Sequence, residues 1–218
     1  MKTKGFIFDL DGVIVDTAKY HFLAWRKLAK SVGITFSEEQ NEQLKGVSRV
    51  RSLEKILAWG DKELPEDQFM ELMARKNDDY LSYIAGMDEN EILPDVQRIL
   101  NLLKELGQVV SLGSASKNAR SILKEVKLLS EFEVIVDGTN VRKAKPNPAV
   151  FLKAAEQMGI APEHCIVIED AMAGIKAANA AGMTSIGIGD AAVLNEADYC
   201  FKDFTEISDE FINELINA

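Results

Sequence analysis

An α/β fold, a Rossmann-like parallel sheet core with an inserted four-helix domain, is predicted by three observations. From Leu93 onward, short apolar runs alternate with amphipathic stretches of helical period, the signature of a parallel sheet covered on both faces. Residues 16–87 instead show four helical patterns, rich in charge and without a convincing strand. The apolar runs Gly5-Phe6-Ile7-Phe8 and Ile166-Val167-Ile168 each end directly in acids. The organisation that follows is a core of residues 1–15 and 88–218 interrupted by a helical domain of residues 16–87.

Taken in order, Gly5 to Phe8 is a buried strand. Ala18, Phe22, Trp25, Ala29 and Val32 recur at three- and four-residue steps, one face of a helix stopped at Gly33. Ser37 to Lys45 follows, with Ser37 as N-cap and Gln40 at the capping-box position. Arg49 to Trp59 and Pro65 to Ile84 complete the helical domain. Pro94 to Leu106 is a helix ended by Gly107, and 109–113 is a strand. Asn118 to Leu128 is a helix and 134–136 a strand. Pro148 to Met158 is a helix stopped by Gly159, and 166–168 a strand. Ala171 to Ala181 is a helix stopped by Gly182, 184–188 a strand, and Ile207 to Ile216 the closing helix.

The 218 residues carry a net charge of −10, with 35 Asp and Glu against 25 Lys and Arg. That balance argues against a nucleic-acid backbone as partner, because phosphate contact needs a basic face. No apolar run approaches the ~18–20 residues that cross a bilayer, and acids stand as early as Asp9, so neither a membrane span nor a signal peptide is expected. Cys165 and Cys200 lack metal-ligand spacing and read as reduced thiols of a cytoplasmic protein.

In such a sheet, ligands bind beyond the carboxyl ends of the strands, so the residues that follow each strand carry the chemistry. Asp9 and Asp11 stand two apart on extended backbone, which directs both side chains to one side. With Glu169 and Asp170 they bring several carboxylates to one edge, a hard-oxygen set suited to Mg²⁺. Ser114 to Asn118 and Lys145 reach the same edge.

Phe8-Asp9-Leu10-Asp11-Gly12-Val13, Ser114 after a strand, Lys145 before Pro146, and Glu169-Asp170 resemble, in order, the four motifs of the haloacid dehalogenase superfamily of phosphotransferases. The helical insert is similar to the cap of one subclass. Thr17, His21, Trp25, the run Gly46-Val47-Ser48-Arg49, Ser52, Lys76 and the run Ser114-Ala115-Ser116-Lys117-Asn118 resemble the sugar-phosphate mutase branch. One departure is Val50-Arg51, where that branch carries an acidic pair.

The resemblance implies interconversion of β-D-glucose 1-phosphate and D-glucose 6-phosphate through β-glucose 1,6-bisphosphate, in a monomer whose partners are small sugar phosphates. It implies Asp9 as nucleophile and Asp11 as general acid and base, with Mg²⁺ held by Asp9, the Asp11 main-chain oxygen and Asp170. Glu169 serves through water or from behind. Ser114 and Lys145 would bind the transferring phosphoryl group. Arg49 offers a bidentate fork for the second phosphate, while Lys117 and Asn118 would position the sugar or its phosphate. Thr17 and His21, four residues apart, share a helix face beside the acids. A sugar-phosphate phosphatase with the same core is the alternative, differing only in whether water attacks Asp9.

Overall fold

The computed structural model describes residues 3–44 and 47–217. The strands are β1 (Gly5–Phe8), β2 (Val109–Gly113), β3 (Val134–Val136), β4 (Cys165–Glu169), β5 (Thr184–Ile188) and β6 (Tyr199–Phe201). They form one parallel sheet in the order β3-β2-β1-β4-β5-β6. The sequence reading lacked β6. It is three residues long, half exposed at the sheet edge, and too short for any periodicity to show.

Alternation along β1 sends Phe6 and Phe8 to one face and Ile7 to the other. On the first face, they join Ile166, Ile168 and Ile186 against Val96, Ile99 and Leu103 of α5 (Val96–Glu105), Ile122 of α6 (Ala119–Glu125) and Ile212 and Leu215 of α9 (Asp209–Asn217). On the second, Ile7 and Val167 pack on Phe151 and Ala154 of α7 (Ala149–Met158) and on Ala177 and Ala178 of α8 (Met172–Ala180). The alanines of α8 let that helix lie close to the sheet.

Between β1 and α5 come α1 (Ala18–Ser31), α2 (Glu38–Glu42), α3 (Arg49–Trp59) and α4 (Glu66–Ile84). They enclose a separate apolar cluster of Trp25, Leu28, Leu53, Ile56, Leu57 and Leu72, where each buried aliphatic side chain contributes ~1.5–3 kcal/mol. The Ser37–Gln40 capping box is present as expected. Two chain crossings join this bundle to the core. Val15 bridges Ile92 in antiparallel fashion, Leu93 N donates to Ile14 O at 3.0 Å, and Asp16 N donates to Glu91 O at 3.2 Å. Met87, at the outbound crossing, is buried in the core cluster.

Several helices are shorter than their sequence patterns. The α6 helix stops at Glu125 rather than Leu128, because Lys127 turns left-handed at φ 58° and Leu128 N closes back to Leu123 O at 2.8 Å. Pro94 precedes α5 instead of opening it, with Asp95 at φ 63° as N-cap. No helix among the described residues is long and apolar enough to cross a membrane. Cys165 is buried, Cys200 half-buried, and neither is bridged.

Candidate active site

The strand order reverses at β1: the chain runs to β2 and β3 on one side and to β4, β5 and β6 on the other. Ligands bind at such switch points. Asp9 leaves β1 held by its backbone N–H on Ile168 O at 2.9 Å, Glu169 ends the adjacent β4, and Ser114 follows β2 with its N–H on Val136 O at 3.0 Å. Backbone pairing of the sheet therefore sets the spacing of these side chains. They line a cavity of about 750 Å³ between the sheet edge and the helical bundle.

Asp9 is buried, and its Oδ1 lies 2.6 Å from Lys145 Nζ. Lys145 Nζ also donates to Glu169 Oε1. Burial alone would depress the Lys145 pKa, but the Asp9 and Glu169 carboxylates outweigh it and hold the ammonium charged. The Lys145-Pro146 peptide is cis. Carboxylate oxygens of Asp9, Glu169 and Asp170 lie within 4.8 Å of one another. This hard-oxygen set fits Mg²⁺. Glu169 uses Oε1 for Lys145 and Oε2 for the Ala171 N–H at 2.9 Å, which suits a role behind the ion.

Two glycines make room for the acids. Gly12 has φ +80°, and a Cβ there would fall on the Asp170 carboxylate. A Cβ at Gly174 would fall on the Glu169 carboxyl. Glu169 is pinned by two hydrogen bonds and cannot yield cheaply, so Gly174→Ala is expected to lower stability by about 2 kcal/mol and weaken Mg²⁺ binding. Urea unfolding with and without Mg²⁺ checks both effects.

Asp11 differs from Asp9. Its Oδ1 accepts from the Thr17 hydroxyl. Burial first, and the nearby Asp9 charge second, raise its pKa to about 6. The two acids on one strand end thus occupy opposite environments, one ion-paired and one inclined to hold a proton.

Residues 3–182 match the family of haloacid dehalogenase-like hydrolases. The chain belongs to that family. It is 42% identical over 213 residues to the β-phosphoglucomutase of Bacillus subtilis, covering 97% of this chain and 94% of that one. It is 32% identical to a fructose-1-phosphate phosphatase of Escherichia coli, over 84% of this chain and 95% of that protein. A crystal structure of β-phosphoglucomutase from Clostridium difficile superposes with a TM-score of 0.95 at 40% identity, covering 99% of this chain and 98% of that one. This haloacid dehalogenase-like hydrolase is an enzyme of that family.

The helical bundle supplies the roof of the cavity. Thr17 and His21 come from the start of α1, and Val47, Ser48, Arg49 and Ser52 from the start of α3. Gly46 lies outside the described residues. The Ser48 side chain caps α3, and the Ser52 hydroxyl donates to Ser48 O at 3.1 Å. Lys76 of α4 is buried, with Nζ 3.0 Å from His21 Nδ1, 4.6 Å above the Trp25 ring and 4.7 Å from Tyr80. Trp25 therefore both lines the cavity and packs in the bundle. Burial and then Arg49 lower Lys76 to about 7, with Asp11 opposing, and burial with Lys76 and Arg49 holds His21 well below its ordinary value.

Lys76 has a stability consequence. Between its folded value of about 7 and its ordinary 10.5 the unfolded chain binds more protons, so this group makes stability rise with pH across that window. Lys76→Met is expected to flatten the rise and to add about 1–3 kcal/mol at pH 6, part of the ~1.4 kcal/mol per pKa unit. Urea unfolding of both proteins from pH 6 to pH 9 measures it.

On the core side, Ser114 Oγ accepts from Ser116 N at 3.1 Å, and Ser116 Oγ accepts from Asn118 N at 3.2 Å. Each hydroxyl oxygen accepts here, which leaves its own hydrogen to donate elsewhere. Ala115 and Lys117 complete this rim. Arg49 Nη2 donates to Asn77 Oδ1 at 2.6 Å, and Asn118 Nδ2 donates to the same oxygen at 3.0 Å. Arg51 instead pairs with Glu54 at 2.7 Å on the exposed face of α3 and does not line the cavity.

The sequence reading missed Asn77, Tyr80, Arg142 and Lys143. The last two reach the cavity mouth on the loop between β3 and α7. A loop has no period, so nothing in the sequence aims them. Asn77 and Tyr80 sit in a helix dense with polar residues, where only the fold distinguishes the face beside the cleft.

Proposed function

We propose that this chain is a β-phosphoglucomutase, interconverting β-D-glucose 1-phosphate and D-glucose 6-phosphate through β-glucose 1,6-bisphosphate. The observation that carries the reading is the split of Asp9 and Asp11 inside one cavity: Asp9 lies against Lys145, whereas Asp11 is raised to about 6 beside Thr17. The similarity to two β-phosphoglucomutases over nearly the whole chain supports the substrate.

An Asp9 oxygen attacks the phosphorus of the bisphosphate, and the bond from phosphorus to the sugar oxygen breaks. Asp11 gives its proton to that oxygen, leaving an aspartyl-phosphate and a hexose monophosphate. In the return step the hydroxyl of a hexose monophosphate attacks the same phosphorus, Asp11 takes its proton, and Asp9 is freed. Lys145 and Ser114 hold the phosphoryl oxygens, and Arg49, Lys117 and Asn118 hold the second phosphate, since such transfer is mostly positioning and charge neutralisation. Asp9, the Asp11 main-chain oxygen and Asp170 would hold Mg²⁺, with Glu169 behind, and the ion would supply further neutralisation of phosphoryl charge. His21, Lys76 and Thr17 place the proton-transfer group under the roof.

The roof formed by residues 16–87 is the part that closes. Its own apolar cluster and the paired crossings at Val15 and Ile92 support a bundle that swings as a unit. Closure excludes water, which separates a mutase from a phosphatase.

The test follows β-glucose 1-phosphate with Mg²⁺ and a trace of glucose 1,6-bisphosphate by phosphorus NMR. Glucose 6-phosphate with little inorganic phosphate is expected. Inorganic phosphate as the main product would overturn the mutase reading in favour of a phosphatase.

A further inference from the structure

Asn77 joins three elements, two on one side of the cleft and one on the other. Its Oδ1 accepts from Arg49 Nη2 at 2.6 Å and from Asn118 Nδ2 at 3.0 Å. Arg49 opens α3 and Asn77 lies in α4, both in the helical bundle, whereas Asn118 is the N-cap of α6 in the core. Arg49 and Asn118 line the cavity, but Asn77 does not. One half-buried amide oxygen behind the cavity wall therefore fastens a donor on the roof to a donor on the floor.

We propose that Asn77 is a positioning residue that clasps Arg49 and Asn118 together and so assembles the site for the second, non-reacting phosphate when the roof is down. The proposal rests on the sugar-phosphate reading above. A guanidinium has five N–H donors and a side-chain amide two. Spending one of each on a shared acceptor fixes both groups and leaves their other hydrogens for an anion. The clasp also gives the closed roof a polar contact across the cleft. A neutral acceptor is required. A carboxylate at this position would bind Arg49 more firmly, but it would add a negative charge beside the bound phosphate.

The inference separates substrates by whether they carry a second phosphate. Acetyl phosphate can phosphorylate Asp9 but has no distal anion for Arg49 and Asn118. Asn77→Ala is expected to raise KM for glucose 1,6-bisphosphate about tenfold, the factor that ~1.4 kcal/mol of lost binding represents. It is expected to leave kcat within about threefold and the rate of acetyl phosphate hydrolysis unchanged. Asn77→Asp, which keeps an acceptor but adds charge, is expected to raise KM for the bisphosphate at least as much.

Two results would overturn the clasp: an unchanged KM for the bisphosphate in both variants, or an equal fall in acetyl phosphate hydrolysis, which would mark a general loss of structure. If the unaltered protein releases inorganic phosphate instead of glucose 6-phosphate, the mutase reading fails. The same comparison, made on hydrolysis of the bisphosphate, still decides the role of Asn77.

Discussion

Asp9→Asn is expected to reduce formation of glucose 6-phosphate by about 10⁴-fold or more, the scale on which loss of a covalent nucleophile is felt. The fold should persist, because the amide oxygen can still accept from Lys145, whose Nζ is 2.6 Å from Asp9 Oδ1. The amide cannot form the acyl phosphate, so neither half of the reaction can begin. Turnover assays beside thermal melts check the prediction. A variant that melts like the unaltered protein and keeps even a tenth of its activity would remove Asp9 as nucleophile, and with it the two-step mechanism.

Lys145→Met is expected to damage both stability and catalysis. Lys145 is the buried cation between Asp9 and Glu169, and removal of one partner from such a cluster costs about 3–5 kcal/mol, because the remaining charges stay buried and unpaired. The pH dependence has a definite sign. Without the ammonium the buried Glu169 carboxyl, already raised by burial, holds its proton more tightly in the folded protein than in the unfolded chain. The folded state then binds more protons, so the stability of the variant should fall as pH rises from 5 to 8. Urea unfolding in the presence of a chelator measures this without compensation by a cation. A variant with unchanged stability across that range would mean that the pair is not a structural unit. Turnover should drop by about 10²–10³-fold, as when a charge-stabilising donor is lost.

The acids themselves were legible in the sequence, because each directly follows an apolar run. Such runs form buried strands, and strand ends in a parallel sheet face the ligand edge. Asp9, Ser114 and Glu169 stand where that rule puts them. The Gly33, Gly107, Gly159 and Gly182 stops were equally legible, since each adopts a left-handed φ that marks a helix end. The end of α6 at Glu125 was hidden because a lysine, Lys127, and not a glycine makes the left-handed turn that follows it.

The sequence by itself determined five of the six strands, the inserted helical bundle and the order of the chemical groups, because periodicity and strand-end position are local properties. Only the tertiary structure decided what those groups do to one another. Asp9 and Asp11 are two residues apart, yet one meets Lys145 from a distant loop and the other meets Thr17 under the helical roof. Lys76 and His21, and Arg49, Asn77 and Asn118, come together from separate elements. Burial and charge across such contacts set which group holds a proton and which holds an anion, and no spacing along the chain encodes them.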